Sequence, residues 1–342
     1  MPVGAAEDTC ALVAQATARY PFKVWGFGES IAMEGLLAAD GGHRAFATRL
    51  IQRWARDTGP LGEDPLAHVA PGLPLLEVYV ATGEEQLLRR ARELADLLAA
   101  TTQGANEVRI HRPDLAGWEH EVWVDCMHLD GPFLAWFGGI THEPAWQDLA
   151  ADLLLGHARV LQDERTGLFS HGFDDSSGQP NGVFWGRGQG WALLGLTDTL
   201  RNLPADHQSV EEIGQRLRSQ VAGLACTEAA AGTWHTVVDQ ARTYLESSVS
   251  AFVALGLRRA MRATQISADY EQLADRARAA TLTAISVDGE LTGVSDATPV
   301  GADAAHYGSR GLGVFPWGQG AALLDLAEQA NDEALREAMN HD

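Results

Sequence analysis

The chain has 342 residues, 46 of them acidic against 25 basic, for a formal charge of −21. That balance excludes a protein that lives on nucleic acid, where affinity comes from Lys and Arg neutralising phosphates. With 46% hydrophobic residues and ten Trp the chain also has too much core-forming material to be disordered.

The opening Met1-Pro2-Val3-Gly4-Ala5-Ala6-Glu7-Asp8 lacks the basic start and apolar stretch of a signal peptide, so a cytoplasmic location is expected. From there helix follows helix. Segment 7–19 opens the series as an amphipathic outer helix. Segments 84–101, 144–163, 206–223 and 268–285 carry apolar residues at three- and four-residue spacing, as in Leu87, Leu88, Ala91, Leu94, Leu97 and Leu98, with charge on the opposite face. Between them, 27–39, 70–81, 124–138, 188–200, 246–261 and 318–330 are apolar or small nearly all round, which predicts burial on every side. Alternating β-branched runs are scarce, and 234–238 is the best strand candidate. No apolar run approaches the roughly 18 residues needed to cross a bilayer, so no membrane is expected as a partner.

The buried segments share an opening. Trp25-Gly26-Phe27-Gly28, Trp185-Gly186-Arg187-Gly188 and Trp317-Gly318-Gln319-Gly320 are three copies of W-G-x-G. Ala70-Pro71-Gly72, Trp123-Val124-Asp125 and Tyr244-Leu245-Glu246 stand at the matching points of the other units. The markers recur at intervals of 46 to 72 residues, the sign of a repeat in which each unit is one helical hairpin. Six hairpins, buried helix inside and amphipathic helix outside, predict an all-α fold, an (α/α)6 barrel, as one domain over 1–342. Closing the ring also lets one core exceed the usual size limit.

Long connections precede the buried helices at 102–122, 164–187, 224–245 and 286–317, and loops of that length in a compact domain are usually functional. If the inner helices run parallel, these loops gather at one end. There Trp25, Trp118, Trp123, Trp185, Trp191, Trp234 and Trp317 would line a cleft suited to a sugar, with its apolar C–H faces and hydroxyl rim.

Glycosidic chemistry needs a carboxyl group that gives or takes a proton near neutral pH. Asp125 leads the candidates, because it begins an otherwise apolar inner helix between Val124 and Cys126, where desolvation is expected to raise its pKa. Asp130 falls on another part of that helix and is read as a cap or surface partner. Glu29 and Glu246 hold comparable first-turn positions. Glu246 is read as an acid satisfying a helix N-terminus, and Glu29 either as that or as a second carboxylate in the cleft. Arg187, a cation in a Trp/Gly loop, is expected to fork onto an acidic sugar in preference to pairing with a loop acid. His171, His68 and His235 are loop histidines of weaker standing.

Other chemistries lack their motifs. Cys10, Cys126 and Cys226 are widely spaced, which indicates neither a disulfide framework nor a zinc cage. His120, Glu121 and His128 lack H-E-x-x-H spacing, so no metal is expected. Gly186-Arg187-Gly188-Gln189-Gly190 is not a dinucleotide fingerprint, and the single lysine, Lys23, sits in no Schiff-base or P-loop motif, so no cofactor is expected.

Several strings resemble glycoside hydrolase families 88 and 105, the unsaturated glucuronyl and rhamnogalacturonyl hydrolases. They are Trp123-Val124-Asp125 with Pro132-Phe133-Leu134, Gly167 to His171, Trp185-Gly186-Arg187-Gly188-Gln189-Gly190-Trp191, and Tyr244-Leu245-Glu246-Ser247-Ser248. The resemblance covers most of the chain and implies an (α/α)6 barrel. It also implies removal of a 4,5-unsaturated uronic acid from the non-reducing end of lyase-generated oligosaccharides. In that reaction Asp125 protonates C4, water adds at C5, and the hemiketal opens with loss of the glycosidic bond. His171, Trp185, Arg187 and Trp191 would line the subsite, Trp123 would pack near the acid, and Arg187 would face the uronate. The families commonly carry a second Asp before the His and Pro-Gly of the second inner helix. Here Pro65-Leu66-Ala67-His68-Val69-Ala70-Pro71-Gly72 has Ala67 at that point, which leaves Asp64, Glu29 or His68 for the role.

An anionic substrate must also meet a chain of charge −21. Surface repulsion is screened over about 8 Å at physiological salt, so the expected partner is a small acidic oligosaccharide and not a long polymer. Two rivals remain. A sugar epimerase on the same barrel would use a pair of His as bases, and a carbohydrate-binding protein would have lost the second acid.

Overall fold

A computed structural model describes residues 3–22, 26–39, 41–61 and 71–340. Thirteen helices are described, and twelve of them alternate as the sequence pattern predicts. The inner ones are α2 (Phe27–Ala38), α4 (Gly72–Thr82), α6 (Cys126–Thr141), α8 (Gly186–Asn202), α10 (Ser247–Arg262) and α13 (Pro316–Asn340). The outer ones are α1 (Val3–Ala18), α3 (Gly42–Asp57), α5 (Glu85–Ala100), α7 (Pro144–Leu161), α9 (Val210–Cys226) and α11 (Glu271–Ala284), and α12 (Ala304–Gly308) is a short turn in the last long loop. The protein is an all-α (α/α)6 barrel.

Composition explains which helix lies where. In α8 every residue from Gly186 to Thr199 is buried. In α5 only one stripe is buried, Leu87, Ala91, Leu94, Ala95 and Leu98, while Arg89, Glu93 and Asp96 face water. Each of α3, α5, α7, α9 and α11 packs on the inner helix it follows, and α1 packs on α13. The inner ring closes through α2 against α13.

The glycines of the shared openings serve close helix approach. A Cβ on Gly186 would stand 2.6 Å from a Val249 methyl of α10, and one on Gly190, a turn later, would meet the Phe252 ring of the same helix. Gly28 faces Trp317 and Gly320 the backbone of Ala32, which makes the α2–α13 closure possible.

The strands are very short. β1 (Glu121–Trp123), β2 (Gly172–Asp174) and β3 (Gln179–Pro180) form one antiparallel sheet, β4 (Val294–Ser295) and β5 (Leu312–Gly313) another. Segment 234–238, the predicted strand, makes only isolated bridges, His235 with Leu245 and Val237 with Trp185. Among the described residues no helix is long and apolar enough to cross a membrane.

Candidate active site

The amino-terminal ends of α2, α6, α8 and α13 meet at one end of the barrel around a cleft of about 520 Å3. Its walls include Trp118, Trp123, Trp185, Trp191 and Trp317, with Phe27, Glu29, Asp125, Arg187, Thr298 and Arg310. Trp123 stacks on both His111 and Trp118, at ring separations of 4.5 and 4.6 Å, in a three-ring cluster, and its indole N–H donates to Glu121 Oε2 at 2.7 Å. Trp25 and His68 lie outside the described residues, as do residues 64 and 67. Trp234, expected in the cleft, is buried in the core with its N–H on the Leu224 carbonyl at 2.9 Å, because the 224–245 loop folds back on α9. His235 is engaged by the Thr243 carbonyl at 2.6 Å and does not line the cleft.

A two-strand register places the acid. Trp123 pairs with Gly172, so one residue further on Val124 lies opposite His171 and donates its N–H to the His171 carbonyl at 3.0 Å, and Asp125 follows directly. Asp125 is 5% exposed and its Oδ2 lies 3.3 Å from His171 Nε2. The other ring nitrogen, Nδ1, is 2.7 Å from the Tyr307 hydroxyl. That oxygen already accepts from Asn181 Nδ2 and the Gly301 amide, both at 3.1 Å. A hydroxyl has one proton and two lone pairs, so the proton goes to Nδ1 and the ring proton of neutral His171 sits on Nε2, the nitrogen 3.3 Å from Asp125 Oδ2. Burial lowers the His171 pKa, which keeps the ring neutral. Oδ2 is buried beside Nε2 without a hydrogen bond, and Oδ1 is the oxygen left to serve the cleft.

Arg187 lines the cleft and also pairs with Glu246, the cap of α10. Its Nη1 meets Glu246 Oε1 at 3.4 Å and donates to Ser295 Oγ at 2.6 Å and the Ser295 carbonyl at 3.1 Å. Its Nη2 donates to the Asp296 carbonyl at 3.1 Å and to Thr298 Oγ1 at 3.3 Å. The guanidinium lies 4.5 Å from the Trp185 ring and 5.2 Å from that of Trp317. Glu246 caps α10, accepting from Val249 N at 3.2 Å, and also takes Ser248 Oγ at 2.6 Å and Ser295 N at 2.7 Å.

Glu29 faces the cleft from the first turn of α2 at 6% exposure, against Tyr20, whose phenol burial and this carboxylate together hold well above its usual range. Asp130 is neither cap nor surface partner: it is 2% exposed and holds the buried guanidinium of Arg109 from the preceding loop. Cys126 and His157 stand near that pair, and the three have the donor types of a metal site. Arg109 already occupies Asp130 and burial pushes the Cys126 thiol up, so the group fits an ion pair in a neutral pocket better than a cation.

Sequence reasoning did not single out Tyr307, Arg310, Thr298, Phe27 or Tyr20. Phe27 is the variable position of the first W-G-x-G, the other four lie in no spaced motif, and Tyr307 meets His171 across 136 positions of chain.

Residues 21–331 match the profile of glycosyl hydrolase family 88. The chain belongs to that family. An unsaturated rhamnogalacturonyl hydrolase, YesR of Bacillus subtilis, is 30% identical over 286 residues, 82% of this chain and 81% of its own. A possible member of glycoside hydrolase family 105 from Salmonella enterica superposes with a TM-score of 0.85 at 22% identity, over 97% of this chain and 95% of that one. The unsaturated glucuronyl hydrolase of Bacillus sp. GL1 gives a TM-score of 0.72 at 17% identity over 94% and 95%. This family 88 protein is therefore a glycoside hydrolase on the shared helical barrel. That membership displaces both the epimerase and the non-catalytic reading.

Proposed function

We propose that the enzyme removes a 4,5-unsaturated uronic acid from the non-reducing end of small acidic oligosaccharides by hydrating the vinyl ether. The observation that carries this reading is Asp125, buried in the wall of an indole-lined cleft with one oxygen against a neutral His171 N–H. The names of the relatives, YesR and an unsaturated 3S-rhamnoglycuronyl hydrolase of Alteromonas among them, support the substrate class.

Asp125 Oδ1 gives its proton to C4, and the C4=C5 π electrons form the new C–H bond. Positive charge develops at C5 and the ring oxygen. Water adds at C5 and loses a proton to a cleft carboxylate, either Asp125 itself or Glu29. The C5 hemiketal then opens by breaking C5–O5, and O5 becomes a hydroxyl on C1. That C1 hemiacetal collapses and releases the aglycone. The anomeric carbon is not attacked, so the rule linking carboxylate separation to stereochemistry does not apply.

The cleft volume falls within the ~300–1,000 Å3 of small-ligand sites and suits a short fragment. Four helix N-termini point their positive dipole ends into it, which favours an anion despite the acidic surface. The test is loss of ultraviolet absorbance from the conjugated double bond across a panel of lyase-made unsaturated disaccharides. Asp125→Asn is expected to lower kcat about 1,000-fold while tryptophan fluorescence still reports binding. Turnover undiminished in Asp125→Asn overturns the reading.

A further inference from the structure

We propose that Arg310 is the cation that receives the carboxylate of the substrate's uronic acid, a specificity-determining contact that rests on the reading above. An acidic sugar in this cleft meets Asp125 and Glu29, so its own carboxylate needs a positive partner. Among the described residues only Arg187 and Arg310 bring a guanidinium to the cleft wall. Arg187 is already held by the protein: both terminal nitrogens donate to it, and Glu246 lies 3.4 Å from Nη1 as a counter-ion.

Arg310 is held differently. Its Nη2 donates to the Ala297 carbonyl, its Nε is buried without a hydrogen-bond partner, and among the described residues no carboxylate pairs with it. Nε is closed off from the cleft, so the groups left for a ligand are the Nη1 N–H groups and the second N–H of Nη2, which have no partner among the described residues. A carboxylate fits best, because a guanidinium offers it two parallel N–H groups.

Position agrees with chemistry. Arg187 binds the Asp296 carbonyl and the Thr298 hydroxyl, and Arg310 binds the carbonyl of Ala297 between them. The two cations therefore grip one turn, and Arg310 lies next to the Arg187–Trp185–His171 stack that ends at Asp125. In the unsaturated ring the carboxylate is carried on C5, bonded to the C4 that Asp125 protonates. A substrate set for protonation thus holds its carboxylate within the cleft that both Asp125 and Arg310 line.

Tryptophan fluorescence titration tests this in an Asp125→Asn background, so that nothing turns over, with and without Arg310→Met or Arg310→Lys. The probes are a lyase-made unsaturated disaccharide and its uronate methyl ester. Arg310→Met is expected to weaken the free acid on the order of 30-fold and to leave the ester unchanged, with Arg310→Lys recovering part of the loss. An unchanged affinity for the acid, or an equal loss for acid and ester, overturns the assignment. Turnover by the native enzyme is measured separately. If none is found while the acid still depends on Arg310, the anion site stands and the hydrolase reading falls.

Discussion

Tyr307 commits its hydroxyl proton to His171 Nδ1 at 2.7 Å, and that single bond decides which nitrogen of the imidazole faces Asp125. His171 thereby carries its ring proton on the nitrogen 3.3 Å from the acid and is not a proton acceptor there. Taking up a proton at Nδ1 would set two donors against each other. Tyr307 suits the role because burial pushes its phenol far above its usual range, so the proton stays in place at every working pH. Tyr307→Phe should lower kcat about 10- to 100-fold with KM little changed, since substrate does not touch the residue. It should also free Nδ1 to protonate, adding an acid limb to the pH–rate profile. Steady-state kinetics from pH 5 to 8 checks this. A lower thermal midpoint with unaltered kinetics would mean that the tyrosine only packs.

The Arg187–Glu246 pair makes a second prediction. Both side chains are nearly inaccessible, and Glu246 is at once helix cap, acceptor for Ser295 N and counter-ion. Removing one member of a buried pair leaves the other uncompensated, at a cost of about 3–5 kcal/mol. Glu246→Gln should therefore destabilise by about 3 kcal/mol. The double variant Arg187→Gln/Glu246→Gln should lose less than the sum of the singles. Chemical denaturation of the four proteins gives the cycle. Strictly additive losses would show that the 3.4 Å separation carries no coupling.

Much of this fold is legible in the sequence because barrel geometry imposes two unlike helix types. A helix buried all round, such as α8, and one with a single apolar stripe, such as α5, differ at every turn. Asp125 and the cleft indoles are legible for a related reason: polar and aromatic residues at the start of an apolar helix stand out. What stays hidden depends on partners far along the chain. Asp130 reads as a cap because nothing near it announces Arg109, 21 residues earlier. Arg187 looks free because Glu246 and the 295–298 turn are 59 and more residues away. The strands that set Asp125 against His171 have two or three residues each, too few to show any alternation.

Below the cleft the barrel interior carries charge, and Glu77 on α4 yields a prediction about pH. Burial, then repulsion from Glu34, raises its pKa from 4.5 to about 7, although Arg44 and Arg259 pull the other way. Below pH 4.5 the carboxyl is protonated in both folded and unfolded chains and costs nothing. Between pH 4.5 and about 7 the unfolded chain loses its proton first, so this group lowers stability as pH rises, and above 7 the penalty is complete. Glu77→Gln removes a titration that the fold resists. It should be more stable than the native protein by about 2 kcal/mol at pH 8 and no different near pH 4. Thermal midpoints at the two pH values measure the contrast. A gain that is the same at both would point to packing and not to ionisation.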